Sequence, residues 1–255
     1  MMSTLMPTIT NSAGERLGAR LDLPSEYSPL AYAIFAHCFT CTKNLKVAAQ
    51  ISRSLTRQGI AVLRFDFTGL GASEGDFAET NFTSNIADLQ VVASYLAREF
   101  EPPQLLIGHS LGGAAVLQAA QLIPSVRAVV TIAAPFQTNH LPGVLADARA
   151  TAAVTGEARV IIGGETFRLK KQLFDDLENT DMSRAIHELG RALLVLHSPA
   201  DATVDIGNAE EIFACAQQPK SFVSLENADH LLSDQRDSWY AGDVIAAWAS
   251  RYLNP

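Results

Sequence analysis

The stretch Leu105-Leu106-Ile107-Gly108-His109-Ser110-Leu111-Gly112-Gly113-Ala114-Ala115 leaves the chain little freedom in how it folds. The apolar run reads as a buried strand, Gly-His-Ser-Leu-Gly as a sharp turn, and the small residues after it as a helix packed close to that strand. The residue at the apex of so tight a turn takes a strained backbone conformation, and bulky neighbours would clash there. Gly108 and Gly112 flank Ser110 for that reason. The turn would hold Ser110 Oγ out at the carboxyl edge of a parallel sheet. There the N–H of Leu111 and the helix N-terminus can stabilise an oxyanion. Ser110 is therefore a candidate nucleophile; the plainer alternative is a Gly-rich turn with serine as an ordinary cap.

The rest of the chain supplies the sheet that such a turn needs. Thr8–Thr10 and Arg16–Leu23 read as a small antiparallel start around a turn at Asn11–Gly14. Further strands are predicted at Leu30–Ala36, Ile60–Phe65, Leu105–Gly108, Val126–Ala134, Ala192–His197 and Ser221–Leu225. Helices are predicted at Asn44–Gln58, Ser84–Phe100, Asn208–Gln217 and Ser238–Leu253, from apolar residues at helical spacing. Most strands are continuously apolar rather than alternating, as expected when helices cover both faces. The class is α/β with a mainly parallel sheet, in one domain spanning residues 1–255. Residues 135–191 break the alternation. Within them Ala158–Ile162 and Thr166–Leu169 flank Gly163-Gly164, a hairpin signal, and Leu173–Leu177 and Met182–Leu189 read as short helices. This insertion would form a cap above Ser110; packing on the side of the domain is its alternative.

Composition narrows the partners. The 255 residues carry a formal net charge of −8, which argues against nucleic acid and anionic membrane surfaces. No apolar run is long enough to span a bilayer. Met1–Thr10 lacks a basic region followed by an apolar core, so no signal peptide is expected. Three cysteines, Cys38, Cys41 and Cys215, do not make a disulfide framework, and a reducing cytoplasm is the simplest setting. Cys38-Phe39-Thr40-Cys41 has C-x-x-C spacing, but no second pair offers the further ligands that zinc needs. A redox role stays open.

A serine hydroxyl is a weak nucleophile at neutral pH. It needs an imidazole to take its proton and a carboxylate to orient that imidazole. Of the histidines after Ser110, only His230 follows the last predicted strand, where a loop could return it to the sheet edge. It is the candidate base. His197 ends a strand ahead of the acid and reads as a structural group near the site, while His140 and His187 read as solvated. Asp201 is the candidate acid on the loop after Ala192–His197; Asp205 is its competitor. Asp229 reads as loop-forming. The second oxyanion donor should come from the loop after Ala31–Ala36, with the Phe39 N–H as candidate and His37 as the buried group that holds the loop.

These residues together resemble the α/β-hydrolase superfamily. Arg64-Phe65-Asp66-Phe67-Thr68-Gly69-Leu70-Gly71-Ala72-Ser73-Glu74-Gly75 is similar to a stretch of the serine-aminopeptidase-like and monoacylglycerol-lipase-like branch. In that branch Asp66 and the glycines would shape a loop and do no chemistry. His37-Cys38-Phe39-Thr40-Cys41 and Phe65–Gly71 resemble more closely the hydrolase half of bacterial proteins that fuse it to an OsmC-type peroxide-reductase domain. The chain ends at Pro255 soon after its closing helix, so the resemblance implies a stand-alone hydrolase. One departure stands out: the usual His-Gly is His37-Cys38 here. Cysteine tolerates positive φ poorly, so the loop is expected to run differently, and Cys38 to make the site sensitive to thiol reagents.

The expected activity is hydrolysis of small to medium carboxylic esters by Ser110, His230 and Asp201, with the Phe39 and Leu111 amides binding the oxyanion. No cofactor or metal is required. The same residues would also serve amides, thioesters, lactones or C–C bonds, and a non-catalytic binding module is the rival of another class. Phe39, Phe136, Phe167, Leu169 and Phe174 are candidates for the acyl pocket and, equally, for the core of the cap. Arg168-Leu169-Lys170-Lys171 is read as a solvated helix face, with a carboxylate-bearing substrate as the alternative.

Overall fold

A computed structural model describes residues 2–25, 28–139 and 143–253. Strands β1 (Met2–Leu5), β2 (Thr8–Thr10) and β3 (Arg16–Pro24) form the antiparallel start. Next come β4 (Ala31–Ala36), α1 (Lys46–Arg57), β5 (Ile60–Phe65), a 3₁₀ turn at Phe77–Glu79, α2 (Phe82–Glu99), β6 (Leu105–His109), α3 (Leu111–Ala119) and β7 (Ala128–Ile132). After an excursion the chain returns through β10 (Ala192–His197), α7 (Gly207–Cys215), β11 (Lys220–Ser224) and α8 (Gln235–Ala249). The sheet order is β1-β3-β5-β4-β6-β7-β10-β11, with β2 beside β3. From β5 to β11 every neighbour is parallel; β1, β2 and β3 pair antiparallel.

The sheet is buried on both faces, which explains the unbroken apolar runs. Along β6, Leu106 joins the core on one face, while Leu105 and Ile107 join the core on the other. Leu89, Val92 and Leu96 of α2, the alanines of α3 and Ile212 of α7 cover the first face. Val47, Ile51 and Leu55 of α1 and Ile245 and Ala249 of α8 cover the second. Two boundaries shift for identifiable reasons. Helix α2 starts at Phe82 because Asn81 and Ser84 form a reciprocal capping box. Strand β1 escapes the reading of Met1–Thr10 because it is short and only alternately covered; its register runs from Met2 opposite Pro24 to Leu5 opposite Leu21.

The 135–191 excursion holds α4 (Gly143–Thr155), the hairpin β8 (Glu157–Ile162) and β9 (Glu165–Lys170), α5 (Lys171–Asn179) and α6 (Met182–His187). Gly163 and Gly164 both take positive φ at the hairpin turn, the geometry a two-residue connection demands. Helix α4 has no counterpart in the sequence reading. It buries only Ala148 and Ala152, so it lacks the apolar stripe that would reveal it. Arg168 and Lys170 lie on β9 rather than on a helix, and pair with Asp76 and Glu79; Lys171 opens α5 and pairs with Asp175.

Candidate active site

Four of the connections at the carboxyl ends of the parallel strands converge. They follow β4, β6, β10 and β11, and carry Phe39, Ser110, Asp201 and His230 respectively. Ser110 has φ 54° and ψ −126°, a conformation that L-residues adopt only where the surroundings over-determine it. Its N–H bonds Ile132 O at 2.9 Å, and its carbonyl accepts from Gly113 N–H at 2.8 Å. The flanking glycines are steric necessities. A Cβ on Gly108 would lie 2.2 Å from Gly112 O, and one on Gly112 would lie 2.4 Å from His37 O and 2.6 Å from Ala36 O. The absence of a side chain at Gly112 thus lets the end of β4 and its loop abut the elbow. Leu111 opens α3, where the first N–H groups have no intrahelical partner. Phe39 N–H has no hydrogen-bond partner among the described residues.

The three sequence-predicted side chains come together in a chain of hydrogen bonds. Ser110 Oγ lies 3.0 Å from His230 Nε2, and His230 Nδ1 lies 2.7 Å from Asp201 Oδ2. The carboxylate can only accept, so Nδ1 carries the proton and Nε2 faces the serine hydroxyl as an acceptor. Asp201 Oδ1 accepts from the N–H groups of Thr203 and Val204 at 2.8 and 2.9 Å. Burial opposes ionisation of Asp201, but the bonds from His230 and from these amides outweigh it and hold its carboxyl below the usual range. The remaining candidate acids make no bond to His230. Asp205 lines the same cavity but is exposed and accepts from Gly207 N–H, and Asp229 accepts from Ser233 N–H within its own loop. His187 is exposed, and His140 lies outside the described residues.

Three buried histidines each hold one of the converging loops by its backbone. His37 Nδ1–H donates to Cys38 O at 2.8 Å, while its Nε2 accepts from Phe67 N–H at 3.2 Å. His109 Nε2–H donates to the carbonyl of His230 at 2.7 Å. His197 Nε2–H donates to Val204 O at 2.8 Å, with Asp201 Oδ2 at 3.6 Å. Burial pushes the His37 and His109 imidazoles down to about 4, and lowers that of His197. Each is a neutral donor at pH 7. The role of His109 escapes sequence reading, because a histidine inside the elbow signals nothing about the carbonyl it will meet 121 residues later.

The β4 loop places positive φ on Thr40, at 59°, and not on Cys38, in keeping with cysteine's poor tolerance of that conformation, but it departs from expectation at its thiols. The cysteine count argues against a disulfide framework, yet Cys38 and Cys41 are joined by a disulfide. Cys41 N–H bonds Cys38 O in a tight turn that brings the two Cα atoms to 5.3 Å, within bridging range. Asp66 has the loop-shaping role expected of it. It accepts from Lys43 and from Ala72 N–H, and a Cβ on Gly71 would lie 2.4 Å from its Oδ2.

Ser110 and His230 open on a cavity of about 640 Å³. Its apolar lining comes from the excursion, through Val144, Leu145, Ile162, Leu173, Phe174 and Leu177, and from Phe39, Leu111, Val204 and Leu231. Of the five residues proposed for an acyl pocket, Phe39 and Phe174 line it; Phe136, Phe167 and Leu169 pack against the core instead. Two smaller depressions, of about 310 and 330 Å³, lie around Asn227–Arg236 and Thr83–Arg184 and do not reach Ser110. Among the described residues no helix is long and apolar enough to cross a membrane.

The chain is similar over its whole length to the esterase domain from a Rhodothermus marinus protein: 49% identity, 100% of both chains covered, TM-score 0.80. The structure of alpha/beta hydrolase domain-containing protein 10 from mouse shares the fold, with a TM-score of 0.76 at 21% identity over 97% of this chain and 99% of that one. A stretch of 87 residues, 34% of this chain, is 36% identical to palmitoyl-protein thioesterase ABHD10, mitochondrial, of Rattus norvegicus. That stretch spans 28% of the rat protein. Residues 41–176, more than half of the chain, match the family described as serine aminopeptidase, S33. With its mostly parallel sheet and the serine-bearing turn after β6, the chain belongs to that family of α/β hydrolases.

Proposed function

We propose that this protein hydrolyses small to medium carboxylic esters through an acyl-enzyme on Ser110, beneath a cap formed by residues 135–191. Ser110 Oγ attacks the ester carbonyl as His230 Nε2 takes its proton. Asp201 keeps the proton of the resting imidazole on Nδ1 and stabilises the imidazolium that forms. The N–H groups of Leu111 and Phe39 receive the oxyanion. His230 then protonates the departing alcohol, deprotonates a water that attacks the acyl carbon, and returns a proton to Ser110 as the acid leaves.

One observation carries this reading: an uninterrupted serine–imidazole–carboxylate hydrogen-bond chain, at 3.0 and 2.7 Å, that opens on an apolar cavity. The cavity favours an apolar acyl group. Its apolar wall, with the likeness of one stretch to a protein named a palmitoyl-protein thioesterase, also supports a second reading, in which the same residues cleave thioesters.

Labelling with a fluorophosphonate, followed by peptide mapping and rate measurements on matched acyl esters and acyl thioesters, tests both. Modification at Ser110 and turnover of the esters are expected. Protein that turns over neither class and leaves Ser110 unmodified would remove the proposal, and a strong preference for thioesters would replace the first reading with the second.

A further inference from the structure

The disulfide sits where it can govern chemistry. Cys38 and Cys41 both line the cavity that holds Ser110, and they bracket Phe39, whose N–H is the proposed second oxyanion donor. The loop is well anchored on either side of this bracket. Before it, His37 bonds Cys38 O and Phe67 N–H; after it, the backbone N–H and ammonium of Lys43 bond the buried Asp66. Between these anchors the ties are few. The Cys41 N–H bonds Cys38 O, Thr40 Oγ1 bonds the adjacent Phe39 carbonyl, and the Phe39 ring rests against Phe77 at 5.6 Å. Thr40 takes φ 59° in this span, a conformation a β-branched residue holds only under constraint. The bridge is the covalent part of that constraint.

We propose that Cys38 and Cys41 form a redox-modifiable site for small dithiols, and that its oxidation state sets the rate at Ser110. In the disulfide state the bridge closes the span that carries the Phe39 N–H, which has no hydrogen-bond partner among the described residues. Reduction releases it. Cys41 is the more open of the pair, being half-buried where Cys38 is 5% exposed. A thiolate of the dithiol attacks Cys41 Sγ, the Sγ–Sγ bond breaks, and Cys38 leaves as a thiolate that takes up a proton. The second thiol of the reductant attacks the mixed disulfide, releasing Cys41 as a thiol and the reductant as its own cyclic disulfide. Two electrons and two protons pass to the cysteine pair.

The proposal rests on the reading of Ser110 as nucleophile and Phe39 N–H as oxyanion donor, and the test separates the two. Ester turnover and the rate of fluorophosphonate labelling at Ser110 are measured on oxidised protein, on protein reduced with dithiothreitol and counted for free thiols, and after reoxidation. Cys38→Ser/Cys41→Ser and Cys215→Ser variants are carried through the same steps. Loss of a well-aimed oxyanion donor costs about 10²–10³ in kcat, so a loosened one should cost about 10- to 100-fold, with KM little changed. Labelling should slow in parallel, and both should recover on reoxidation. The double-serine variant should sit at the reduced level and ignore dithiothreitol; Cys215→Ser should follow the wild type. Equal labelling rates in both states, a double-serine variant as fast as the oxidised wild type, or three free thiols before any reductant is added would each overturn the redox site. No labelling in any state would overturn the reading of Ser110 on which it stands.

Discussion

The two walls of the cavity are built by different means. On the sheet side, the loops after β4, β10 and β11 are pinned by backbone carbonyls that accept from His37, His197 and His109 respectively. Ser110 is locked by a turn in which added Cβ atoms would collide with backbone. On the other side, α4, the β8–β9 hairpin and α5 rest on apolar contact, on the Arg168–Asp76 and Lys170–Glu79 pairs, and on hydrogen bonds to α5, where Asp176 accepts from the Thr83 N–H and hydroxyl and Leu177 O accepts from Thr138 Oγ1. That wall leaves Val144 50%, Val154 87% and Ile161 68% exposed. One wall is over-determined and polar at its core, and the other meets the cavity with mainly apolar side chains. The first is suited to fixing reacting atoms within a few tenths of an ångström, the second to choosing what reaches them.

The largest effect should come from breaking the sheet-side wall at its centre. Ser110→Ala removes the proposed nucleophile and should lower turnover by about 10⁴ or more, leaving only what the cavity and amides provide. Asp201→Asn keeps the volume but offers His230 a donor or the wrong acceptor geometry, and should cost about 10³–10⁴ through the wrong tautomer. Both are read as kcat on an activated ester with folding checked by circular dichroism. Substantial turnover by clean Ser110→Ala protein would end the assignment of this wall to chemistry.

A smaller loss is expected where no side chain exists to be removed. Gly112→Ala places a methyl group 2.4 Å from His37 O and 2.6 Å from Ala36 O, and relief requires the elbow and the end of β4 with its loop to move apart. Overpacking of this kind costs about 1–3 kcal/mol of stability. Separation of the Leu111 and Phe39 amides should lower kcat by about 10²–10³. Gly112→Ala protein with normal kcat would mean that the abutment of the two loops is not what aligns the amides.

Much of the sheet-side wall is legible in sequence because local physics dictates it. Gly108 and Gly112 are demanded by backbone approach and Gly113 by the Ala134 methyl, Asp201 lies on the loop after the unbroken apolar run of β10, and His230 is the one histidine that follows the last strand. What is not legible depends on distant partners. His109 meets the His230 carbonyl only through the fold, and the Cys38–Cys41 bridge defeats an argument from cysteine number because it spans a single turn. The excursion reads less well. Its Gly-Gly hairpin turn is a local signal, but α4 is alanine-rich, covers the core with only two small residues, and leaves no apolar periodicity to find.

The second wall should respond in selectivity. Leu145 on α4 lines the cavity and is partly buried against the core. Leu145→Ala should raise KM for a six-carbon acyl ester roughly 10-fold while the acetyl ester changes little, as expected for lost apolar contact with a few methylenes. Parallel changes in both substrates would show that this wall also positions the reacting atoms, and the contrast between the walls would fail.

The smallest effect concerns acid. The His37 and His109 imidazoles are depressed to about 4 by burial, from 6.5. In the window between those values the unfolded chain binds protons that the folded one refuses. Their contribution to stability is therefore full above pH 6.5 and declines as pH falls toward 4, by about 1.4 kcal/mol per histidine per pH unit. Asp88 works in the opposite sense. Burial raises its carboxyl to about 6 despite bonds from Thr68, so below pH 6 the folded state binds a proton more readily than the unfolded one. This offsets about one histidine until pH falls near 4. Urea midpoints at pH 7, 6 and 5 should fall progressively, and Asp88→Asn should steepen the fall below pH 6. Hydrogen exchange should place the first acid-induced opening in the loops held by His37 and His109, whose rings are buried. Opening that begins instead in residues 143–179 would invert the ranking of the two walls.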